Sequence, residues 1–141
     1  MEAGLRDNGE KMEVRYTPDD QTYPRMTTAE LRRAFLLENL FVPGAVTMVY
    51  TDADRAIIGA AVPVQGRLPL LATKREMAAE YFTERREIGI VNIGGAGNIR
   101  VDGKLFEMAP KDMLYVGRGV PKVEFEGTDH AKSGTTEGRK E

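Results

Sequence analysis

The string YFTERRE, which runs from Tyr81 to Glu87, places two arginines between two glutamates, just before a run of alternating apolar residues. Arginine side chains can hold an anion, and a carboxylate beside a carbonyl group can act as a base. In a regular strand successive side chains face opposite sides, so at most one of Arg85 and Arg86 would point inward. Two interpretations of this arginine pair stay open, an anion contact and a structural ion-pair network.

Few side chains in this sequence are of the types that bind transition metals. There is no cysteine, and the single histidine, His130, lies in a polar stretch where we expect it to be solvated. Zinc sites need three or four nitrogen, sulfur or oxygen donors at fixed geometry. We therefore expect no metal site within these 141 residues.

Composition narrows the class of partner. Twenty basic and 22 acidic residues leave a net charge of −2, so we expect no nucleic-acid partner. The longest apolar run, AIIGAAVPV, is too short to span a bilayer, and the N-terminal residues lack the apolar segment of a signal peptide. We expect a cytoplasmic protein without a membrane partner.

The elements that position these residues begin with one helix. Thr27 and Glu30 have the spacing of a capping box, and Met26 and Leu31 that of a hydrophobic staple. The pattern predicts a helix over about 27–39. The polar residues 1–25 are expected to form a poorly ordered arm, and the polar residues 128–141 a solvated tail.

From Ala45 onward the apolar pattern takes a period of two, which is typical of strands. Asp102-Gly103 is a strong hairpin signal. The glycine-rich 94–97 segment is followed by a strand pattern, so we expect a tight turn that uses positive φ, with a ligand-approach loop as the alternative. Residues 69–81 fit either a helix or a loop ending in a short strand. The predicted fold is all-β, an antiparallel sandwich or barrel over about 45–127. Expected core residues are Phe35, Val49, Ile57, Ile90, Ile99, Val101, Leu114 and Val123.

The spacing of several of these residues resembles the two motifs of the cupin family of small β-barrels. Glu87 and Gly94 are spaced as in the second half of the first motif, G-x5-H-x-H-x(3 or 4)-E-x6-G. Its two histidine positions would then be occupied by Tyr81 and Thr83, which share strand parity with Glu87. In the second motif, G-x5-P-x-G-x2-H-x3-N, Lys122 stands in place of the histidine. The resemblance implies a cupin-like pocket without its metal ligands, with Arg85 and Arg118 as possible anion contacts.

Longer strings carry a more specific resemblance. The segments FLLENLFVPGAVTMVYTDADRAIIGAAVP, YFTERREIGIVNIGGAGNIRVDGKLFEM and KDMLYVGRGV resemble the N-terminal half of the 5-keto-4-deoxyuronate isomerase family, also called 4-deoxy-L-threo-5-hexosulose-uronate ketol-isomerases. The resemblance runs from about Met12 to about Asp129, so residues 1–11 are expected to be a leader. It implies one half of a bicupin, often hexameric. The family's zinc is implied in the C-terminal cupin, whose ligands have no counterpart here.

Three hypotheses about function remain. In the first, the chain is the N-terminal half of the isomerase, inactive by itself and paired with a separately encoded C-terminal half. In the second, it is a non-catalytic module for subunit assembly or for binding a sugar acid. In the third, it is a metal-free isomerase that uses Glu87 as a base near Lys122 and Tyr81. We also expect the chain to self-associate, because half of a bicupin has lost the surface that would cover its partner cupin.

Overall fold

The computed structural model describes residues 12–128. Its helical elements are the helix α1 (Thr28–Phe35), the single turn α2 (Lys74–Met77), and 3-10 turns at Tyr23–Arg25, Ala53–Arg55 and Phe82–Glu84. Its strands are β1 (Glu13–Arg15), β2 (Val46–Thr51), β3 (Ala56–Ala61), β4 (Arg67–Pro69), β5 (Ile88–Val91), β6 (Gly97–Val101), β7 (Lys104–Met108), β8 (Met113–Val116) and β9 (Val123–Gly127). No helix of the described residues has the length and apolar character needed to cross a membrane.

The strands form three sheets with the orders β1-β2-β3, β4-β9-β6-β7 and β5-β8. Within the described residues every strand pair is antiparallel except β1 with β2. The prediction of an all-β antiparallel fold with one short N-terminal helix is therefore confirmed. Residues 69–81, where helix and loop were both open, hold the end of β4, the single turn α2 and a connecting loop.

Local turn chemistry explains the tightest hairpin. Asp102 and Gly103 have φ values of 48° and 83°, which places both central residues in the left-handed region. Such a two-residue turn matches the right-handed twist of the flanking strands. The strands are paired up to this turn, with Val101 opposite Lys104. The hairpin prediction is therefore confirmed.

The helix α1 begins as predicted and ends earlier. Thr27 Oγ1 accepts a hydrogen bond from the Glu30 N–H at 3.3 Å, and the Glu30 carboxylate accepts one from the Thr27 N–H at 2.7 Å. The helix stops at Phe35 rather than near 39, because Leu36 is extended and its carbonyl accepts a hydrogen bond from the Arg15 guanidinium. The expectation that Phe35 lies in the core is wrong: α1 buries none of its residues, and Phe35 is 55% exposed.

The core consists of two adjoining clusters. The first holds Met12, Met77, Ala79 and Phe82, and the second holds Ile99, Met108, Val116 and Val123. Of the expected core residues, Val49, Ile99 and Val123 are buried. Four more are half-buried: Ile57 packs on the first cluster, and Ile90, Val101 and Leu114 pack on the second.

Part of the expected N-terminal arm belongs to the fold. Met12 is only 4% exposed in the first core cluster, and β1 pairs in parallel with β2, with Glu13 opposite Val49. The expectation of a poorly ordered arm is therefore wrong for residues 12–25. A buried methionine side chain and the backbone hydrogen bonds of a third strand offset the cost of ordering these polar residues.

Candidate functional site

A cleft of about 1130 Å³ lies between β3 and β5. Both are open on one side in the described residues, since β3 ends its sheet and β5 pairs with β8 alone. Apolar side chains from several strands line the rest of the cleft, among them Met48, Leu70, Ile99, Met108 and Phe125. The sheets therefore leave a largely apolar groove between them.

One end of this groove lies near Pro63, which follows β3. Its carbonyl oxygen lies 2.9 Å from the position that a Cβ on Gly127 would take. Gly127 pairs with Gly97 across β9 and β6. The end of β3 therefore lies beside the loop that follows β5.

The other end of the groove holds the start of both strands. Ile57 in β3 and Ile88 in β5 both pack on the core cluster that contains Phe82. The two strands therefore run in the same direction along the groove. This arrangement brings Arg55, just before β3, to the same end as residues 85–87, just before β5.

This end of the groove is basic. Four arginines line it, namely Arg55, Arg85, Arg86 and Arg118, together with the carboxylate of Glu87. Within residues 12–128, none of the four guanidinium groups lies within 4 Å of a carboxylate oxygen. Four positive charges and one negative charge leave a local excess of 4 − 1 = 3 positive charges.

The carboxylate of Glu87 already has a partner. The Tyr115 hydroxyl donates a hydrogen bond to Glu87 Oε2. That hydrogen bond, with a smaller contribution from burial, raises the pKa of Tyr115 above its ordinary value, although the charge of Arg118 acts in the opposite direction. Glu87, Tyr115 and Arg118 are therefore electrostatically linked neighbours.

Thr83 holds the loop that carries Arg118. Its side chain is fully buried, and its hydroxyl donates to the Val120 carbonyl at 2.5 Å and accepts from the Val120 N–H at 3.1 Å. The Thr83 carbonyl also accepts a hydrogen bond from the Gly119 N–H at 2.8 Å. These three bonds fasten residues 117–120 to the 3-10 turn that precedes Arg85.

The residues that the sequence pattern assigned to one pocket lie at different places in the structure. Glu87, Arg85 and Arg118 line the groove, whereas Tyr81, Thr83 and Lys122 do not. The assumption of a regular strand over 81–87 is wrong, because Phe82–Glu84 form a 3-10 turn and β5 begins at Ile88. Strand alternation therefore does not place Tyr81, Thr83 and Glu87 on a common face.

Lys122 lies at a different place in the fold. Its N–H donates to Asp102 Oδ1 at 3.0 Å, beside the β6–β7 hairpin, and its ammonium group lies 3.5 Å from a Glu124 oxygen. Its side chain is 64% exposed. His130 lies outside the described residues.

The sequence pattern did not predict that Arg86 and Arg55 line this groove. Arg86 reaches the groove together with Arg85, because the irregular backbone at Arg85 (φ −127°, ψ 4°) breaks the strand alternation. Arg55 belongs to the charged DADR turn, and no sequence spacing relates that turn to residues 85–87. They come to one groove only because β3 and β5 lie on its two sides.

The glycine-rich 94–97 segment connects β5 with β6, as the turn prediction required. Its glycines do not use positive φ, so that part of the prediction is wrong. Asn92 organises the loop instead, donating to the Gly95 carbonyl at 2.8 Å and accepting from the Gly94 N–H at 3.1 Å. Gly97 is needed for space, since a Cβ there would lie 3.2 Å from the Glu126 carbonyl oxygen.

Metal ligands do not cluster in the described part of the chain. Across residues 12–128, no three histidine, cysteine, aspartate or glutamate side chains converge on a common point.

Comparison with known proteins gives a consistent set of relatives. The chain is 47% identical over 118 residues to a 4-deoxy-L-threo-5-hexosulose-uronate ketol-isomerase of Caldicellulosiruptor bescii, covering 84% of this chain and 42% of the relative. It is 47% identical over 120 residues to the protein of that name from Kineococcus radiotolerans, covering 85% and 43%. The corresponding protein of Formosa agariphila is 44% identical over 119 residues, covering 84% and 42%.

No family model matches the chain. The chain spans about two fifths of the length of these curated relatives. The aligned part of the relatives is their N-terminal half. The chain therefore matches the N-terminal half of the 4-deoxy-L-threo-5-hexosulose-uronate ketol-isomerases.

Proposed function

We propose that this chain acts as the N-terminal half of a 4-deoxy-L-threo-5-hexosulose-uronate ketol-isomerase unit, a cupin-like domain that supports a catalytic half. The observation that carries the proposal is the alignment itself, which covers 84% of this chain and 42% of the relative. Identity of 47% over 118 residues is spread along the whole domain rather than over an isolated motif.

We also propose that this half binds no zinc. Where the cupin motifs have imidazoles, this chain has Tyr81, Thr83 and Lys122. The donor set does not fit zinc, because the Thr83 hydroxyl is already bonded to Val120 and an ammonium group repels a cation. Glu87 is then left as a single carboxylate donor.

The experiment combines metal analysis with an activity assay. The purified chain is dialysed, analysed for zinc, and incubated with 5-keto-4-deoxyuronate, alone and with a separately produced C-terminal half of the Caldicellulosiruptor relative. The full-length relative is the positive control. We expect no stoichiometric zinc and no isomerisation by the chain alone, and turnover that requires the C-terminal half. One tightly bound zinc per chain, or turnover by the chain alone that Glu87→Gln abolishes, would overturn the proposal.

A second candidate, a non-catalytic assembly module, is favoured by one surface. Val91 lies opposite Met113 in the β5–β8 sheet, and Gly89 opposite Tyr115, so these residues share a face. On it, Val91, Met113 and Tyr115 are all exposed. We call this surface, formed by Val91, Met113 and Tyr115, the outer β5–β8 face. Exposed apolar side chains gathered on one sheet face are typical of a contact surface.

A further inference from the structure

We infer that the basic end of the groove between β3 and β5 binds the carboxylate of an organic anion whose uncharged body lies along the apolar part of the groove. The inference goes beyond the proposed function and does not depend on it. It concerns ligand binding by this chain alone.

The positive charges at this end can attract an anion. Arg55, Arg85, Arg86 and Arg118 line the same end of one groove, and Glu87 is the carboxylate among them. Within the described residues none of these guanidinium groups forms an ion pair. Clustered guanidinium groups repel one another, and a concave, low-dielectric wall concentrates their field. An anion relieves that repulsion, and a carboxylate matches the planar fork of a guanidinium group.

Backbone geometry orders the segments that carry two of the arginines. Fully buried Thr83 fastens the loop of Arg118 through its bonds to Gly119 and Val120. Arg55 sits in a tight turn with φ of 52°, directly before β3. Backbone segments that are already ordered lose less conformational entropy when a ligand binds.

Among the described residues that line this end, Glu87 is the single carboxylate, and it already has a hydrogen-bond partner. Glu87 accepts a hydrogen bond from Tyr115. One oxygen of the Glu87 carboxylate is therefore already hydrogen-bonded to a side chain of β8. The local excess of positive charge is then available to a ligand.

The groove also sets the shape of the ligand. The positive charge lies at one end, whereas Leu70, Ile99, Met108 and Phe125 supply apolar surface beyond it. Its volume of about 1130 Å³ exceeds that of a single small anion such as acetate. A molecule with one terminal carboxylate and an uncharged body fits this distribution. A sugar acid and a short fatty acid share that chemistry, and the experiment distinguishes them.

The experiment is titration calorimetry on the 141-residue chain. The probes are D-galacturonate, D-galactose as the uncharged match of the sugar, and octanoate as the aliphatic carboxylate. The variants are Arg86→Gln, Arg118→Gln and the double substitution. The matched control is Arg33→Gln, which removes the same charge from the exposed surface of α1.

We expect at least one of the two carboxylates to bind and galactose not to bind measurably. Each single glutamine variant should weaken binding by about tenfold, the usual effect of losing one charge-assisted hydrogen bond, and Arg33→Gln should leave it unchanged. Tighter binding of galacturonate than of octanoate identifies a sugar acid as the ligand class, and the reverse order identifies an aliphatic acid. Both results support the carboxylate site.

The salt dependence of binding by the wild-type chain is a second test, which does not require any variant to fold. Binding to guanidinium groups should weaken as salt is raised, because added ions screen the attraction. The inference is overturned if neither carboxylate binds, if galactose binds as well as galacturonate, if the folded double variant binds like wild type, or if wild-type binding is independent of salt. Since calorimetry does not require turnover, none of these results bears on the proposed isomerase role.

Discussion

The hydroxyl of Thr83 and the backbone of Val120, 37 residues apart in sequence, form a reciprocal pair of hydrogen bonds. The hydroxyl donates to the carbonyl at 2.5 Å and accepts from the N–H at 3.1 Å. Thr83 is the fully buried side chain of largest volume in the described structure. Its position makes it the link between the 117–120 loop, which carries Arg118, and the 3-10 turn that precedes Arg85.

Replacing this link should destabilise the fold. Thr83→Val keeps the shape of the side chain but removes both hydrogen bonds, which leaves the Val120 N–H and carbonyl without these partners. Loss of a partner to buried polar groups costs about 1–3 kcal/mol. We expect the free energy of unfolding, measured in urea, to fall by that amount. Thr28→Val on the exposed start of α1 is the control and should change stability little. An equal effect of the two substitutions would contradict the role assigned to Thr83.

Acid should weaken the contact between the N-terminal segment and the β2–β3 turn. The Thr17 hydroxyl and N–H each donate to Asp52 Oδ1 at 2.7 Å, and these bonds hold the pKa of Asp52 below its ordinary value. Because the pKa is lower in the folded chain than in the unfolded one, the stabilisation is present above the unfolded pKa. It is lost as the pH falls through the folded value.

We therefore expect Asp52→Asn to flatten the dependence of stability on pH below about pH 4, the ordinary range of an aspartate. The measurement is urea unfolding at a series of pH values for wild type and variant. Asp20→Asn removes an exposed carboxylate from the same segment and serves as the control. If wild type and Asp52→Asn lose stability in parallel as the pH falls, the Thr17–Asp52 contact does not contribute.

The pair Tyr115 and Glu87 predicts a shifted phenol titration. The hydrogen bond to Glu87 raises the pKa of Tyr115. Glu87→Gln removes the negative charge, so the pKa of Tyr115 should fall toward its ordinary value, and the charge of Arg118 should then be felt more strongly. Ultraviolet titration of tyrosinate gives the pKa when the Tyr115→Phe curve is subtracted from that of wild type. A Tyr115 curve that Glu87→Gln leaves in place would mean that the two side chains are not in contact in solution.

Self-association should depend on the outer β5–β8 face. Met113 is 74% exposed there, opposite the exposed Val91. A second copy of the chain can cover this face, and twofold pairing of one surface with itself is the commonest form of oligomer. We expect a homodimer or larger species by sedimentation at tens of micromolar. Met113→Glu should shift the chain toward monomer, because pairing would bury two like charges.

The control for this prediction is Tyr16→Glu, which places the same charge on an exposed residue outside the outer β5–β8 face. It should sediment like wild type. A wild-type chain that is monomeric at these concentrations, or a Met113→Glu variant that associates as strongly as wild type, would contradict the prediction.

The sequence alone determined the features that depend on neighbouring residues. The capping box of Thr27 and Glu30 and the turn at Asp102-Gly103 both formed as predicted, because each rests on interactions within about four residues. The alternating strands from Ala45 onward formed for the same reason, since side-chain alternation is a local property of an extended backbone. The long matching strings also identified the related family before any contact was known.

The tertiary structure alone decided which distant residues meet. Thr83 is buried against Val120 rather than facing a pocket with Glu87, because its hydroxyl satisfies two backbone groups 37 positions away. Met12 became a core residue because β1 pairs with β2. Arg55 and Arg86 line the same groove because β3 and β5 form two of its sides. Such contacts depend on how sheets pack and where loops are fastened, and the spacing of residues along the chain carries no record of either.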